Sequence, residues 1–132
     1  MKIGLSLQAL AELDVLWAVL GVGGYALPVR FRVESRAVAC RVPSWSGVAD
    51  LLEQAEADAT LVAAVESGPF LRWLYVRGRA SRVSQPNWGG LALPGCERIS
   101  PDDLYQMVRL EPSRLELVDE ERGWGVRETC DW

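Results

Sequence analysis

Residues Leu71 to Ser84 read LRWLYVRGRASRVS. Leu74, Val76, Gly78 and Ala80 alternate with Trp73, Tyr75, Arg77 and Arg79. A period of two belongs to an extended strand and not to a helix, whose faces repeat every 3.6 residues. One face of this strand suits a core. The other is too aromatic for a plain solvated surface and too charged for an interior; such a face covers a ligand or a partner chain. A strand this long needs neighbours to pair with, so the chain must build a sheet around it.

The neighbours are legible upstream. Val15 to Val22 is apolar and rich in β-formers, Gly23-Gly24 is a tight hairpin signal, and Tyr25 to Glu34 runs back. In that return strand Val29, Phe31 and Val33 share one face, Arg30 and Arg32 the other. Ser35-Arg36 is a second turn and Ala37 to Val42 a third strand. Ser46 to Ala57 has helical spacing, with Val48, Leu51, Leu52 and Ala55 inward and Asp50, Glu53 and Glu56 outward. Ala59 to Glu66 is a strand, and Gly68-Pro69 turns the chain into the long strand. Residues 85–98, rich in Gly and Pro, form an exposed loop. Ser100, Pro101 and two acids open a helix in SPDDLYQMV. VRLEPSRLELVDE is a further strand with Leu115 and Leu117 inward, and Glu120 and Glu121 sit in a solvated turn. At the start, Ser6 is placed to cap a helix within residues 1–14. The expectation is a single domain over 1–132. It is mainly β, an antiparallel barrel of Greek-key type with a few helices. A doubly wound fold is excluded, because β-α-β alternation occurs once and no GxGxxG follows a strand.

Composition narrows the chemistry. There is no histidine, which removes Ser-His and Cys-His nucleophile pairs, the usual haem ligand and the commonest transition-metal ligand. Cys40, Cys96 and Cys130 form no CxxC pair, so neither a disulfide framework nor a zinc site is expected. No metal site is assigned, and no side chain stands out as a catalytic acid or base. Thirteen of the 14 cationic residues are arginine, the side chain suited to bidentate recognition of phosphate or carboxylate; a general preference for Arg over Lys accounts for the same count. With a net charge of -4 and no lysine-rich run, a nucleic-acid partner is not expected. No apolar run approaches the ~20 residues of a membrane span, and no signal peptide is evident at the start, so a cytoplasmic protein is expected.

The pieces YALPVRFRV, AVACRVPSWSGVADLL, ATLVAAVES, RWLYVRGRASRVS and YQMVRLEPSRLELVDEERGWGVRETCDW, in that order, resemble the pyridoxamine 5'-phosphate oxidase-like family over about Val15 to Trp132. The resemblance implies an FMN-binding split β-barrel and a homodimer with flavins in grooves between two barrels. It implies a phosphate held where the third strand meets its helix, by a hydroxyl residue and a basic residue. In this chain Arg41 stands where the hydroxyl residue is usual, and Ser46 and Gly47 stand where an Arg-Lys pair is usual. Arg41 offers two donors to a phosphate, Gly47 permits close backbone approach, and the helix start presents free amides. Ser44 and Ser46 read as helix caps, which is compatible with holding a phosphate.

Arg30 and Arg32 either line the flavin groove or are ordinary surface arginines. Trp45 either shields the phosphate or a ring edge, or plugs the dimer seam. Trp124 and Arg127 match the terminal motif and either reach the partner's flavin or pack on the barrel rim. Trp73, Tyr75, Arg77 and Arg79 are assigned to the subunit interface. The resulting expectation is an FMN-dependent oxidoreductase acting on a small-molecule substrate. Two alternatives stay open: a flavin-free binding or structural dimer, and a relative taking a deazaflavin or another flat anionic ligand.

Overall fold

The computed structural model describes residues 15–91, 99–122 and 127–131. Seven strands carry the chain: β1 (Trp17–Val22), β2 (Tyr25–Val33), β3 (Val38–Pro43), β4 (Ala57–Ser67), β5 (Phe70–Arg82), β6 (Tyr105–Asp119) and β7 (Arg127–Asp131). Helix α1 (Gly47–Gln54) joins β3 to β4, α2 (Pro101–Leu104) precedes β6, and a 3-10 turn spans Glu120–Arg122. The sheet order is β3-β2-β1-β4-β5-β6-β7, and a β3–β6 pairing closes the first six strands into a barrel. All pairings are antiparallel. After two hairpins the fourth strand returns beside the first, which is the Greek-key order expected. Among the described residues no helix is long and apolar enough to cross a membrane.

Alternation fills the barrel. Leu20, Val22, Val38, Val42, Leu61, Leu74, Val76, Leu110 and Leu115 point inward and are fully buried. Helix α1 adds Val48, Ala49 and Leu52 to the same cluster. Leu51, expected inward, is 39% exposed and lies over the Gly23 turn instead. The helix also stops at Gln54, short of the expected Ala57. Ala55 is already extended, and Ala57 is drawn into the ladder opposite Ala80. The second helix is shorter still than its start signal implied. Only Pro101–Leu104 is helical, and Ser100 makes no side-chain cap. Tyr105 to Val108 belong to β6 and pair with Pro43 to Cys40. Ladder bonds and burial of Val108 outweigh the local helix signal.

β6 borders three strands because it is bent. Its register against β5 shifts between Arg77 and Gly78: Arg77 faces Arg114 and Gly78 faces Pro112, so Ser113 is the extra residue of a bulge. Ser113 Oγ donates to the Arg77 carbonyl at 3.2 Å. The bulge turns the second half of β6 toward β7 while the first half seals the barrel against β3.

Cys40 is wholly enclosed in the core, and burial pushes its thiol up to about 12 from an ordinary value near 9. The thiolate is the reactive form, so Cys40 is expected to stay unlabelled by a maleimide at pH 8 in the native protein and to react on denaturation. Peptide mass spectrometry reads this directly; rapid native labelling at Cys40 would contradict the burial. Because the folded thiol keeps its proton where the unfolded one loses it, stability is intact below pH 9. It falls from there toward pH 12, by at most ~1.4 kcal/mol per pH unit.

Candidate functional site

On the outer face of β2 and β3 three arginines come together. Arg30 and Arg41 are directly opposed in the ladder, and Arg32 lies two residues further along β2, opposite Ala39. Like charges facing each other across strands are destabilising unless something neutralises them. The chain meets these guanidinium groups mostly with carbonyl oxygens. Arg30 donates to the Leu16 carbonyl at 3.4 Å. Arg32 donates to the carbonyls of Asn87, at 2.9 Å, and Gly89, and Arg41 to that of Leu91 at 3.0 Å. Among the described residues one carboxylate takes part, Glu34, 3.4 Å from Arg32.

The carbonyl acceptors of Arg32 and Arg41 belong to a strap, residues 87–91, which lies across the outer face of β3 and β6. Leu91 is buried against Ala39 and Met107, with Val83 and Trp88 packed around them. Trp88 donates its indole N–H to Asp102 at 2.9 Å. Beside the strap is an aromatic step. The Tyr105 ring sits 6.3 Å from Trp45 and 6.5 Å from Trp88, between centroids, and the Arg41 guanidinium stands 4.8 Å over its face. These are tilted-pair and cation–π distances. Trp45 is 69% exposed.

A cleft of about 320 Å³ opens next to Tyr105, lined among others by Ser44, Glu53, Arg82, Ser84, Asp102 and Gln106. Gln106 is buried, and its Oε1 has no hydrogen-bond partner among the described residues. An orphaned acceptor of this kind carries a desolvation cost of roughly 1–3 kcal/mol unless a donor arrives.

The loop from β3 to α1 is held by its own contacts. Ser46 caps α1: its Oγ accepts from the Ala49 amide at 3.2 Å and donates to the Pro43 carbonyl at 2.7 Å. Ser44 Oγ donates to the Leu104 carbonyl at 3.0 Å. Gly47 does approach another group closely, but that group is the Tyr25 ring, which a Cβ on Gly47 would meet within 2.6 Å. Asp50 places an acid in the first turn of α1, unfavourable for an anion there.

Arg41, Ser44 and Ser46 bond within the chain, and Tyr25 fills the space over Gly47. Trp45 and Arg41 do meet, through Tyr105, while Arg30 and Arg32 lie on the same outer face. Trp124 lies outside the described residues, and of Arg127 only the backbone, in β7, is described. Tyr105, Trp88, Asp102 and Gln106 had no place in the sequence-based site. Tyr105 and Gln106 were assigned to a helix, which hid their position on β6; Trp88 was assigned to an exposed loop.

No protein-family model matches the chain, and no curated protein sequence does. Solved structures do. A general stress protein 26 from Jannaschia sp. CCS1 is 12% identical, covers 96% of each chain and superposes with a TM-score of 0.72. A protein from Clostridium acetobutylicum, related to general stress protein 26 of B. subtilis and of the pyridoxinephosphate oxidase family, is 13% identical over 95% of this chain and 93% of that one, with a TM-score of 0.68. The fold is the pyridoxamine phosphate oxidase-like split barrel. An FAD binding protein from Mycobacterium smegmatis shares it at 14% identity over 97% and 99% of the two chains, with a TM-score of 0.58. In this split barrel the arginine cluster, the aromatic step and the cleft all border the junction where β3 gives way to α1.

Proposed function

We propose that this split barrel binds a flat aromatic cofactor of the flavin class beside the β3–α1 junction, and that it works as a homodimer. The observation that carries the reading is the exposed aromatic step, Trp45 on Tyr105 with Arg41 over the ring, at the edge of a polar cleft. Stacked aromatic and guanidinium faces suit a planar ring. The FAD binding protein among the similar structures supports a flavin. The residues present fit the ring. They do not, as arranged, fit the phosphate of FMN, because its expected donors are engaged. A bound flavin would supply hydride transfer between a nicotinamide and a small substrate; the residues named here hold and orient.

The dimer reading rests on the other outward face. Trp17 and Val19 on β1, Val62 and Ala64 on β4, and Trp73 and Tyr75 on β5 form one contiguous apolar surface, bordered by Arg30 and Arg77. The outward face of a sheet in a monomer is polar; one of this composition suits a second copy of the same chain.

The cofactor reading is tested by colour and by titration. The purified protein is expected to carry flavin absorption, or to show tryptophan quenching saturating on addition of riboflavin. Trp45→Ala is expected to weaken that binding by about tenfold. A colourless protein whose fluorescence no flavin or deazaflavin alters would favour the flavin-free dimer.

A further inference from the structure

We propose that the strap of residues 87–91 is an internal competitor for anions: it occupies an arginine clasp that an incoming phosphate must take from it. This rests in part on the ring-binding reading, since the clasp adjoins the aromatic step. Three arginines converge on one small stretch of β2 and β3, two of them directly opposed, with Glu34 as the carboxylate in contact. Among the described residues such a cluster is short of negative charge. The strap meets it with neutral carbonyls, which accept from the guanidinium groups but leave their charge uncompensated, whereas a phosphate brings the opposite charge and accepts in two-pronged fashion.

The strap is fastened at three points, each of a reversible kind. Arg32 holds the carbonyls of Asn87 and Gly89, and Arg41 holds that of Leu91. Leu91 is seated over Ala39 and Met107 in a small cluster separate from the barrel core. Trp88 is tied to Asp102. The barrel closes through its own ladders, so the strap is able to leave without opening it. A phosphate entering the clasp gains two guanidinium forks and neutralises the opposed pair. What it displaces is three carbonyl contacts, one buried leucine and the Trp88–Asp102 hydrogen bond. The missing lysine at the start of α1 then has a reason: the anion site lies on the strand face, under the strap, and not at the helix start, where Asp50 stands.

Two measurements test this. The first compares FMN with riboflavin, the same ring with and without phosphate, in the wild-type protein and in Leu91→Ser, which unseats the strap. The variant is expected to shift the FMN-to-riboflavin affinity ratio about tenfold toward FMN; an unchanged ratio in a protein that binds both overturns the proposal. The second needs no ring. Hydrogen exchange is followed at the Leu91 amide, which donates to the Trp88 carbonyl at 2.9 Å, with and without excess inorganic phosphate. Phosphate is expected to speed exchange at Leu91 and leave the Val108 amide unchanged, and Arg41→Gln is expected to speed it without phosphate. Protection that neither treatment alters overturns the strap. If no flavin binds in either protein, the ring reading fails and the exchange experiment still decides the strap.

Discussion

Gly78→Ala is expected to destabilise the barrel by at least about 3 kcal/mol. Gly78 faces Pro112 across the bulge, and there the β6 backbone comes down onto β5. A Cβ at Gly78 would land on the Glu111 carbonyl oxygen, with the carbonyl carbon at 2.7 Å and Pro112 Cα at 2.8 Å. All three atoms are backbone, so no side chain is able to swing aside. Relief would require β6 to move, and β6 is the strand that pairs with β3 to close the barrel and with β7 beyond it. A chain of this size has a net stability of only about 5–15 kcal/mol. The change thus removes a large part of it and leaves a loosened or unfolded protein. Urea unfolding followed by circular dichroism measures the loss. Gly24→Ala is the control: a Cβ there meets nothing within 4 Å, and a change under about 1 kcal/mol is expected. Equal losses in the two variants would place the constraint elsewhere than the bulge.

Trp73→Glu is expected to abolish the proposed dimer without unfolding the barrel. Trp73 is on the outward face of β5, opposite Ala64 on β4 and Val118 on β6. Its neighbours Leu74 and Val76, not Trp73 itself, fill the core. Aromatic anchors at the centre of an interface carry most of its energy, and a buried unpaired carboxylate adds a desolvation penalty. A rise in dimer dissociation constant of at least about a hundredfold, ~2.7 kcal/mol, is the expected scale. Sedimentation at several concentrations reads it, with circular dichroism confirming that the strands persist. A variant that stays dimeric would move the interface off this face.

The local alternation of the chain determined a great deal. The period of two in β5, the Gly23-Gly24 and Gly68-Pro69 turns and the helical spacing after Ser46 were enough to predict an antiparallel barrel with a helix after its third strand. These signals are local: they depend on which side chains must turn inward, and every strand states its own. Ser46 as the α1 cap is of the same kind, since a cap reads only the next three residues.

What only the tertiary structure decided is where distant pieces meet. Tyr105 and Gln106 follow a good helix start and still become strand, because β3 offers them a ladder. Ser113 becomes a bulge because the β6 backbone comes down onto β5 at Gly78. Arg41 looks from sequence like a free phosphate ligand and Arg32 like a groove-lining or surface arginine, yet their partners lie fifty or more residues away in the strap. Long-range pairing is set by closure of the whole barrel, and no short window of sequence carries that information.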